Sequence, residues 1–195
     1  NNKSKGLPKS LYDKEVNQIF NYLEKTKDNN KLRNKAIFEI LYGCGLRVSE
    51  LINLDIENIN FEESQIKCTG KGNKQRIVPT NENCLKSIND YMEFERNILK
   101  IKEPKALFLN KNGRRVSRQT IWIAVKECTY HLNLSIEVTP HTLRHSFATA
   151  LLKGGANIRE VQELLGHSSL SATQIYTFLD NDWIKKEYIS SHPRA

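Results

Sequence analysis

The stretch TPHTLRHSFATALLKGG, residues 139–155, carries the signals of a complete helix. Thr139 is a good N-cap residue, and Pro140 suits the first helical position, where the missing N–H has no intrahelical partner to lose. The glycine pair that closes the stretch is typical of a helix end. His141 and Arg144 are three residues apart and so share a face near the positive end of this helix. The core side is predicted to consist of Leu143, Phe147, Ala150 and Leu151.

Downstream of this helix, two more segments have the spacing of a capping box. In NIREVQELLG, residues 157–166, Asn157 and Glu160 stand three apart and a glycine ends the segment. Ser171 and Gln174 repeat the spacing in SATQIY. We therefore expect Tyr176 within or at the end of a short helix.

Upstream, the spacing of apolar residues predicts helices and then one small sheet. Helical spacing is found at 16–23, 36–43, from 48, at 85–92 and at 117–132, and three short strands are predicted at 59–61, 65–69 and 75–78. The last two strands flank Gly70-Lys71-Gly72-Asn73, a hairpin signal because Gly and Asn tolerate positive φ. The predicted fold class is α+β, mainly α-helical with a small three-stranded antiparallel sheet.

The composition favours a polyanionic partner. The chain of 195 residues has 30 Lys and Arg against 22 Asp and Glu, a formal charge of +8. This favours nucleic acid first and an anionic membrane second, with a surface charged only for solubility as the alternative. The sequence shows neither a membrane-spanning run nor a signal peptide, and its four cysteines match no zinc module. We expect buried free thiols and a cytoplasmic location.

Several side chains have the chemistry to bind a phosphate, although each has an ordinary explanation. Arg47 follows a glycine-flanked segment and could aim its fork at a phosphate, or could pair with Glu50 on the surface. Lys71 lies in a tight turn close to Lys74 and Arg76, and such a basic hairpin could reach into a DNA groove or only improve solubility. His141 and His145 have an H-x-x-x-H spacing, but no third metal ligand accompanies them.

The order of these residues resembles that of a known family. The six in order are Arg47, Lys71, His141, Arg144, His167 and Tyr176. They resemble the R–K–H-x-x-R–H–Y order of tyrosine recombinases. The surrounding segments are similar to those of the Xer subfamily: GCGLRVSELINL, GKGNKQRIVP and LLGHSSLSATQIY. The final residues HPRA resemble that subfamily too. The resemblance implies the tyrosine recombinase catalytic-domain fold over nearly the whole chain.

The resemblance also implies a mechanism. Tyr176 would attack a DNA backbone phosphate and form a 3′-phosphotyrosyl link, with Arg47 and Arg144 clamping the nonbridging oxygens. His167 would donate a further hydrogen bond, and His141 would act as a base or donor. Lys71 would protonate the leaving 5′-oxygen. No cofactor and no metal is expected, and Lys71, Lys74 and Arg76 are predicted DNA contacts.

For domains and partners, the resemblance implies an incomplete recombinase. Residues 1–10 would be a linker remnant, 11–180 the catalytic domain and 181–195 a C-terminal tail helix for subunit exchange. The N-terminal core-binding domain would be absent. The expected partners are double-stranded DNA, a homo- or hetero-tetramer with another recombinase, and a cell-division DNA translocase, but no membrane.

The expected role is Xer-type chromosome dimer resolution. A phage or transposon integrase with the same chemistry and a non-cleaving DNA-binding accessory protein are the alternatives.

Overall fold

The helices and strands bury two hydrophobic clusters. A computed structural model of the chain describes residues 10–166, 186 and 188–195. Within those residues the helices are α1 (Asp13–Lys25), α2 (Lys31–Gly43), α3 (Val48–Ile52), α4 (Glu82–Phe94), α5 (Arg118–Thr129), α6 (Pro140–Lys153) and α7 (Ile158–Leu164), and the strands are β1 (Ile59–Asn60), β2 (Gln65–Thr69) and β3 (Gln75–Pro79). The mainly helical α+β class predicted from the sequence is confirmed.

The sheet is antiparallel throughout, in the order β1-β2-β3. Ile66 faces Val78 across the second pair of strands, and Thr69 faces Gln75 beside the turn. In that turn Gly72 has a φ of +73° and Asn73 one of +57°, a backbone region that Gly and Asn tolerate best. The predicted hairpin is confirmed, with β1 one residue shorter and β3 one residue longer than the sequence indicated.

Helix α2 is the central element of the core. It packs against α1, α4, α5 and α6, and its apolar side chains from Ala36 onward are buried, as is the carboxylate of Glu39. A helix surrounded by other helices buries residues on every side, so its sequence shows only a weak amphipathic pattern. This is why the sequence revealed one apolar stripe of α2 and not its central position.

The predicted caps of α6 and α7 are present. The Thr139 hydroxyl accepts a 3.1 Å hydrogen bond from the Thr142 N–H, and Pro140 occupies the first turn of α6. Asn157 accepts from the Arg159 N–H at 2.8 Å, and Glu160 accepts from the Asn157 N–H at 3.0 Å. The second predicted capping box, at 171–174, lies outside the described residues.

Residues 188–195 dock on the domain's own surface, against α2 and α6. The buried Tyr188 hydroxyl donates to the Gly43 carbonyl at 2.7 Å and accepts from the Asn81 amide at 2.6 Å. His192 lies 5.2–5.3 Å from three rings, measured between ring centroids: Tyr42, Phe147 and Tyr188. Arg194 forms an ion pair with the buried Glu39. The backbone approaches closely here, since a Cβ on Gly154 would lie 2.0 Å from the Ser191 carbonyl oxygen.

The four cysteines are buried and not disulfide-bonded, as predicted. Burial raises the pKa of the Cys68 and Cys128 thiols to about 12. None of the described helices combines the length and apolar character that crossing a membrane requires.

Candidate active site

A buried carboxylate organises three arginines. Glu50 lies in the first turn of α3, and its side chain is 1% exposed. Its oxygens accept from Arg76 Nε at 2.8 Å and Nη2 at 3.0 Å, and from the backbone N–H of Arg47 at 2.9 Å. Two further guanidinium nitrogens lie beyond hydrogen-bonding distance of Glu50 Oε1, Arg144 Nη1 at 3.7 Å and Arg47 Nη1 at 3.9 Å. Arg47 and Arg144 therefore keep most of their bonding capacity for another acceptor.

The cluster has an excess of positive charge. Burial raises the pKa of Glu50, but the hydrogen bonds and charge of Arg76 and the Arg47 N–H outweigh it, so the pKa lies below its usual value. Burial lowers the pKa of Arg144 to about 10, helped by the charges of Arg47 and Arg76. Both groups are therefore ionised at neutral pH. Three cations around one anion leave a site suited to a phosphate.

The carboxyl end of α7 also meets the three arginines. The carbonyl of Leu164 accepts from Arg76 Nη1, that of Leu165 from Arg144 Nη2 at 2.7 Å, and that of Gly166 from Arg47 Nη2 at 3.4 Å. The last carbonyls of a helix have no partner within the helix and carry partial negative charge, so guanidinium groups stabilise them. His167 follows directly in the sequence and lies outside the described residues, as does Tyr176.

Four of the six predicted catalytic residues lie in the described part of the chain, and three of these four line one cleft. Arg47, His141 and Arg144 line it together with Leu46, Val48, Ser49, Arg118, Trp122 and Pro140. The Arg47 side chain is 41% exposed and that of Arg144 only 9%, so Arg47 is the more accessible of the two arginines. Lys71 lies at the exposed tip of the hairpin and does not line this cleft.

The glycine-flanked loop before Arg47 has a packing reason. Gly45 has a φ of +68°, and a Cβ there would lie 2.4 Å from the ring of Phe147 on α6. Only glycine allows the loop to approach α6 this closely. The contact brings Arg47 from one segment and Arg144 from another to the same cleft.

One hydrogen-bond donor of Arg144 has no acceptor among the described residues. Its Nη1 is buried and has no hydrogen-bond partner among the described residues. A buried donor left unpaired costs about 1–3 kcal/mol, so an acceptor at this position would bind favourably. The unpaired nitrogen is consistent with a site prepared for an anion.

His141 and His145 stack on each other at 5.2 Å between ring centroids. Burial lowers the pKa of His145, and the nearby His141 and Arg144 lower it further. Across the described part of the chain, no group of three or more His, Cys, Asp or Glu side chains is arranged to hold a metal ion.

A family model described as the phage integrase family matches residues 9–182. The chain belongs to the phage integrase family. Among curated relatives of this integrase-family domain, tyrosine recombinase XerD of Staphylococcus epidermidis is 44% identical over 192 residues, and tyrosine recombinase XerD of Lacticaseibacillus casei is 42% identical over 194. The alignments cover 98% and 99% of the chain, but 65% and 66% of the relatives. The chain thus spans slightly less than two thirds of their length.

Solved structures show the same fold. The crystal structure of XerA recombinase matches with a TM-score of 0.74 and 31% identity, over 97% of the present chain and 67% of the XerA chain. The pre-cleavage complex of the XerH site-specific recombinase bound to difH substrate matches with a TM-score of 0.73 and 28% identity, over 88% of the present chain and 50% of the XerH chain. The tyrosine recombinase catalytic-domain fold predicted from the sequence is confirmed.

Sequence reasoning missed two features of the integrase-family domain. It considered Glu50 only as a surface partner of Arg47, whereas Glu50 is buried and binds Arg76. The DNA contact at Arg76 stays a prediction, but the sequence did not show that the guanidinium of Arg76 bonds within the domain and that its side chain is 12% exposed. The i, i+3 spacing of Arg47 and Glu50 was the available signal, but burial of Glu50 does not follow from that spacing.

Proposed function

We propose that the domain cleaves and rejoins DNA as the catalytic part of a site-specific tyrosine recombinase. The observation that supports this most directly is the cleft in which Arg47 and Arg144 converge around Glu50, with His141 beside them. Two guanidinium groups can hold the nonbridging oxygens of one phosphate, and their charge stabilises the pentacovalent transition state as negative charge builds up. The relatives named as tyrosine recombinases support the same activity.

In the proposed reaction, the Tyr176 oxygen attacks phosphorus and the bond to the 5′-oxygen breaks. His141 accepts or shares the phenol proton, and His167 donates to a nonbridging oxygen. Lys71 gives a proton to the leaving 5′-oxygen, so the products are a 3′-phosphotyrosine and a 5′-hydroxyl. Attack by the 5′-hydroxyl of another strand reverses the step. The phosphodiester energy is kept in the protein–DNA ester, and no net oxidation occurs.

The exposed hairpin suits the role given to Lys71. Its tip carries Lys71 and Lys74 on a backbone turn that projects from β2 and β3, with both side chains open to solvent. A basic tip of this kind can follow a DNA groove and bring an ammonium group to the leaving oxygen. We therefore propose Lys71 and Lys74 as DNA contacts, with Lys71 also as the general acid.

At the level of the whole protein, we propose Xer-type recombination in the cytoplasm. This role includes chromosome dimer resolution. The protein would act in a tetramer, formed with further copies of itself or with a second recombinase, and a cell-division DNA translocase would activate it. The XerD relatives and the XerH complex with difH favour this role. A mobile-element integrase is the second candidate, because the integrase from mycobacterium phage Brujita matches with a TM-score of 0.73 at 25% identity.

Covalent capture tests the proposed activity. A pool of nicked duplexes with one randomised arm is incubated with the protein, and the products are separated on a denaturing gel. The nick lets the short downstream strand leave, so the phosphotyrosine accumulates. We expect the wild-type protein to retain specific duplexes and Tyr176→Phe to retain none, while both bind the same duplexes.

A covalent band that survives Tyr176→Phe would place the nucleophile elsewhere. Tyr130, which is 82% exposed, would then be the next residue to replace. Tyr188 is a poor nucleophile because its hydroxyl is buried between Gly43 and Asn81. If neither protein gives a covalent band, that absence contradicts the proposed activity itself.

A further inference from the structure

Arg76 joins two parts of the candidate active site. Its Nε and Nη2 donate to both oxygens of Glu50, and its Nη1 donates to the Leu164 carbonyl. We propose that Arg76 is a positioning residue for DNA cleavage and not a DNA contact. This inference rests on the proposed function, because it assigns a role within that reaction.

These hydrogen bonds fix three segments relative to one another. Arg76 lies on β3, directly after the hairpin that carries Lys71, and Glu50 lies on α3 beside Arg47. Leu164 closes α7, and the next two carbonyls accept from Arg144 and Arg47. One planar guanidinium therefore connects the hairpin, α3 and the residues that lead to His167. A lysine ammonium is a single point and cannot span both acceptors in this way.

Arg76 also controls where the charge of Glu50 is used. The Glu50 oxygens are 2.8 and 3.0 Å from the guanidinium nitrogens of Arg76, but Oε1 is 3.7 and 3.9 Å from those of Arg144 and Arg47. Without Arg76, the carboxylate would be drawn to the remaining two guanidinium groups, since a buried anion needs a partner. The carboxylate would then compete with the DNA phosphate for Arg144 and Arg47, the two arginines that clamp the phosphate. Arg76 keeps the clamp available by holding Glu50 away from it.

The packing around Arg76 supports a fixed position. Gly166 has a φ of +67°, and a Cβ there would lie 3.0 Å from both Cδ and Nε of Arg76. With its side chain 12% exposed and packed under Gly166, Arg76 is enclosed, unlike Lys71 and Lys74. A side chain held in this way is suited to orienting other groups and not to reaching across to a DNA backbone.

Measuring binding and cleavage separately tests the inference. The probe is a nicked duplex recovered by wild-type covalent capture, so that wild-type cleavage is established first. For Arg76→Gln we expect unchanged affinity and an unchanged slope of log Kd against log salt. The single-turnover cleavage rate at saturating duplex should fall by about 100-fold, as expected for a clamp misplaced by about 1 Å.

Lys74→Ala is the matched control for a DNA contact. It should weaken binding, and the salt slope should become shallower by about 0.9 for each phosphate that the protein no longer neutralises. If Arg76→Gln behaves like Lys74→Ala and keeps the wild-type cleavage rate, Arg76 is a DNA contact and the inference is wrong. Unchanged binding together with an unchanged rate would also overturn it.

A second substitution separates positioning from general stability. Adding Glu50→Gln to Arg76→Gln removes the competing anion but keeps an amide oxygen to accept from the Arg47 N–H. The double variant should cleave faster than Arg76→Gln, and a rate no faster would overturn the competition argument. If Arg76→Gln does not fold, Arg76→Lys serves in its place, with a smaller loss of rate and the same unchanged affinity expected. Failure of wild-type capture would instead count against the proposed function.

Discussion

Tyr188 donates a hydrogen bond of 2.7 Å to the carbonyl of Gly43, four residues before Arg47. His192 lies 3.1 Å from the preceding carbonyl, that of Tyr42, through Nε2. The last carbonyls of a helix lack partners within the helix, and here side chains from the end of the chain supply them. The loop that leads to Arg47 therefore starts from a helix end that residues 188–195 hold in place.

Tyr188→Phe should lower the free energy of unfolding by about 1–3 kcal/mol, because the Gly43 carbonyl and the Asn81 amide lose a buried partner. Urea denaturation measures the difference. Tyr130→Phe removes the same hydroxyl from a side chain that is 82% exposed, and should change stability by less than about 0.5 kcal/mol. Equal effects from the two substitutions would show that the buried bonds contribute little.

Arg144→Ala should slow cleavage of a nicked duplex by about 100-fold or more, as loss of a preorganised donor to a developing anion typically does. Arg144→Lys retains a positive charge but cannot donate to the Leu165 carbonyl and a phosphate with one planar fork. It should therefore recover only part of the rate in single-turnover measurements. A lysine variant as fast as wild type would mean that charge alone, without fork geometry, supports the reaction.

Lys71→Ala should lose cleavage of an ordinary duplex, because the 5′-oxygen leaves poorly without a proton. A duplex with a 5′-phosphorothiolate at the cleaved bond should restore the rate, since sulfur leaves as a thiolate. Arg144→Ala serves as the control, because the sulfur substrate should not rescue a missing phosphate clamp. If Lys71→Ala remains inactive on the sulfur substrate, Lys71 is not the general acid.

Acid should destabilise the docked residues 188–195 through His192. Burial, together with the charge of Arg194, lowers the pKa of His192 from 6.5 to about 4, although the hydrogen bond to the Tyr42 carbonyl raises it. Because the folded pKa is depressed, the unfolded chain binds more protons between these values. The stabilisation is present above pH 6.5 and is lost as the pH falls toward 4. Between neutral pH and pH 5, the free energy of unfolding should therefore fall by about 2 kcal/mol.

Urea denaturation at pH 7 and pH 5 measures this effect. His192→Gln is the control, because its amide can still donate to the Tyr42 carbonyl and does not titrate. The variant should lose less stability than the wild-type protein over this pH range. If both lose the same amount, other groups account for the acid sensitivity.

Deleting residues 182–195 from the full-length protein should weaken the pairing of two full DNA sites more than binding to one half-site. The tail would pass between subunits only in the assembled complex, where a cyclic assembly needs a head-to-tail contact. Gel shifts on half-sites and on paired full sites measure both. Equal losses would mean that the tail only stabilises its own domain, and subunit exchange would not be supported.

The features that the sequence predicted are those determined by local chemistry. Thr139 and Pro140 define the start of α6 within a few residues, and the Gly70–Asn73 turn fixes the hairpin. Burial depends on contacts distant in the sequence, so it did not follow from these signals. Glu50 and Arg76 are 26 residues apart, and only the packing of the sheet against α3 shows that they bind each other. The docking of Tyr188 against Gly43, 145 residues away, could not be predicted from these local signals either.

The docked tail has a kinetic consequence for assembly. A segment that belongs to the same chain as its binding surface can reach an effective concentration of about millimolar. A tail from another copy at micromolar concentration cannot compete with it. Two copies held side by side on one DNA molecule would meet at a comparable local concentration, and only then could exchange proceed. DNA would thus determine when the subunits connect, without any change in the strength of the contacts that hold the tail.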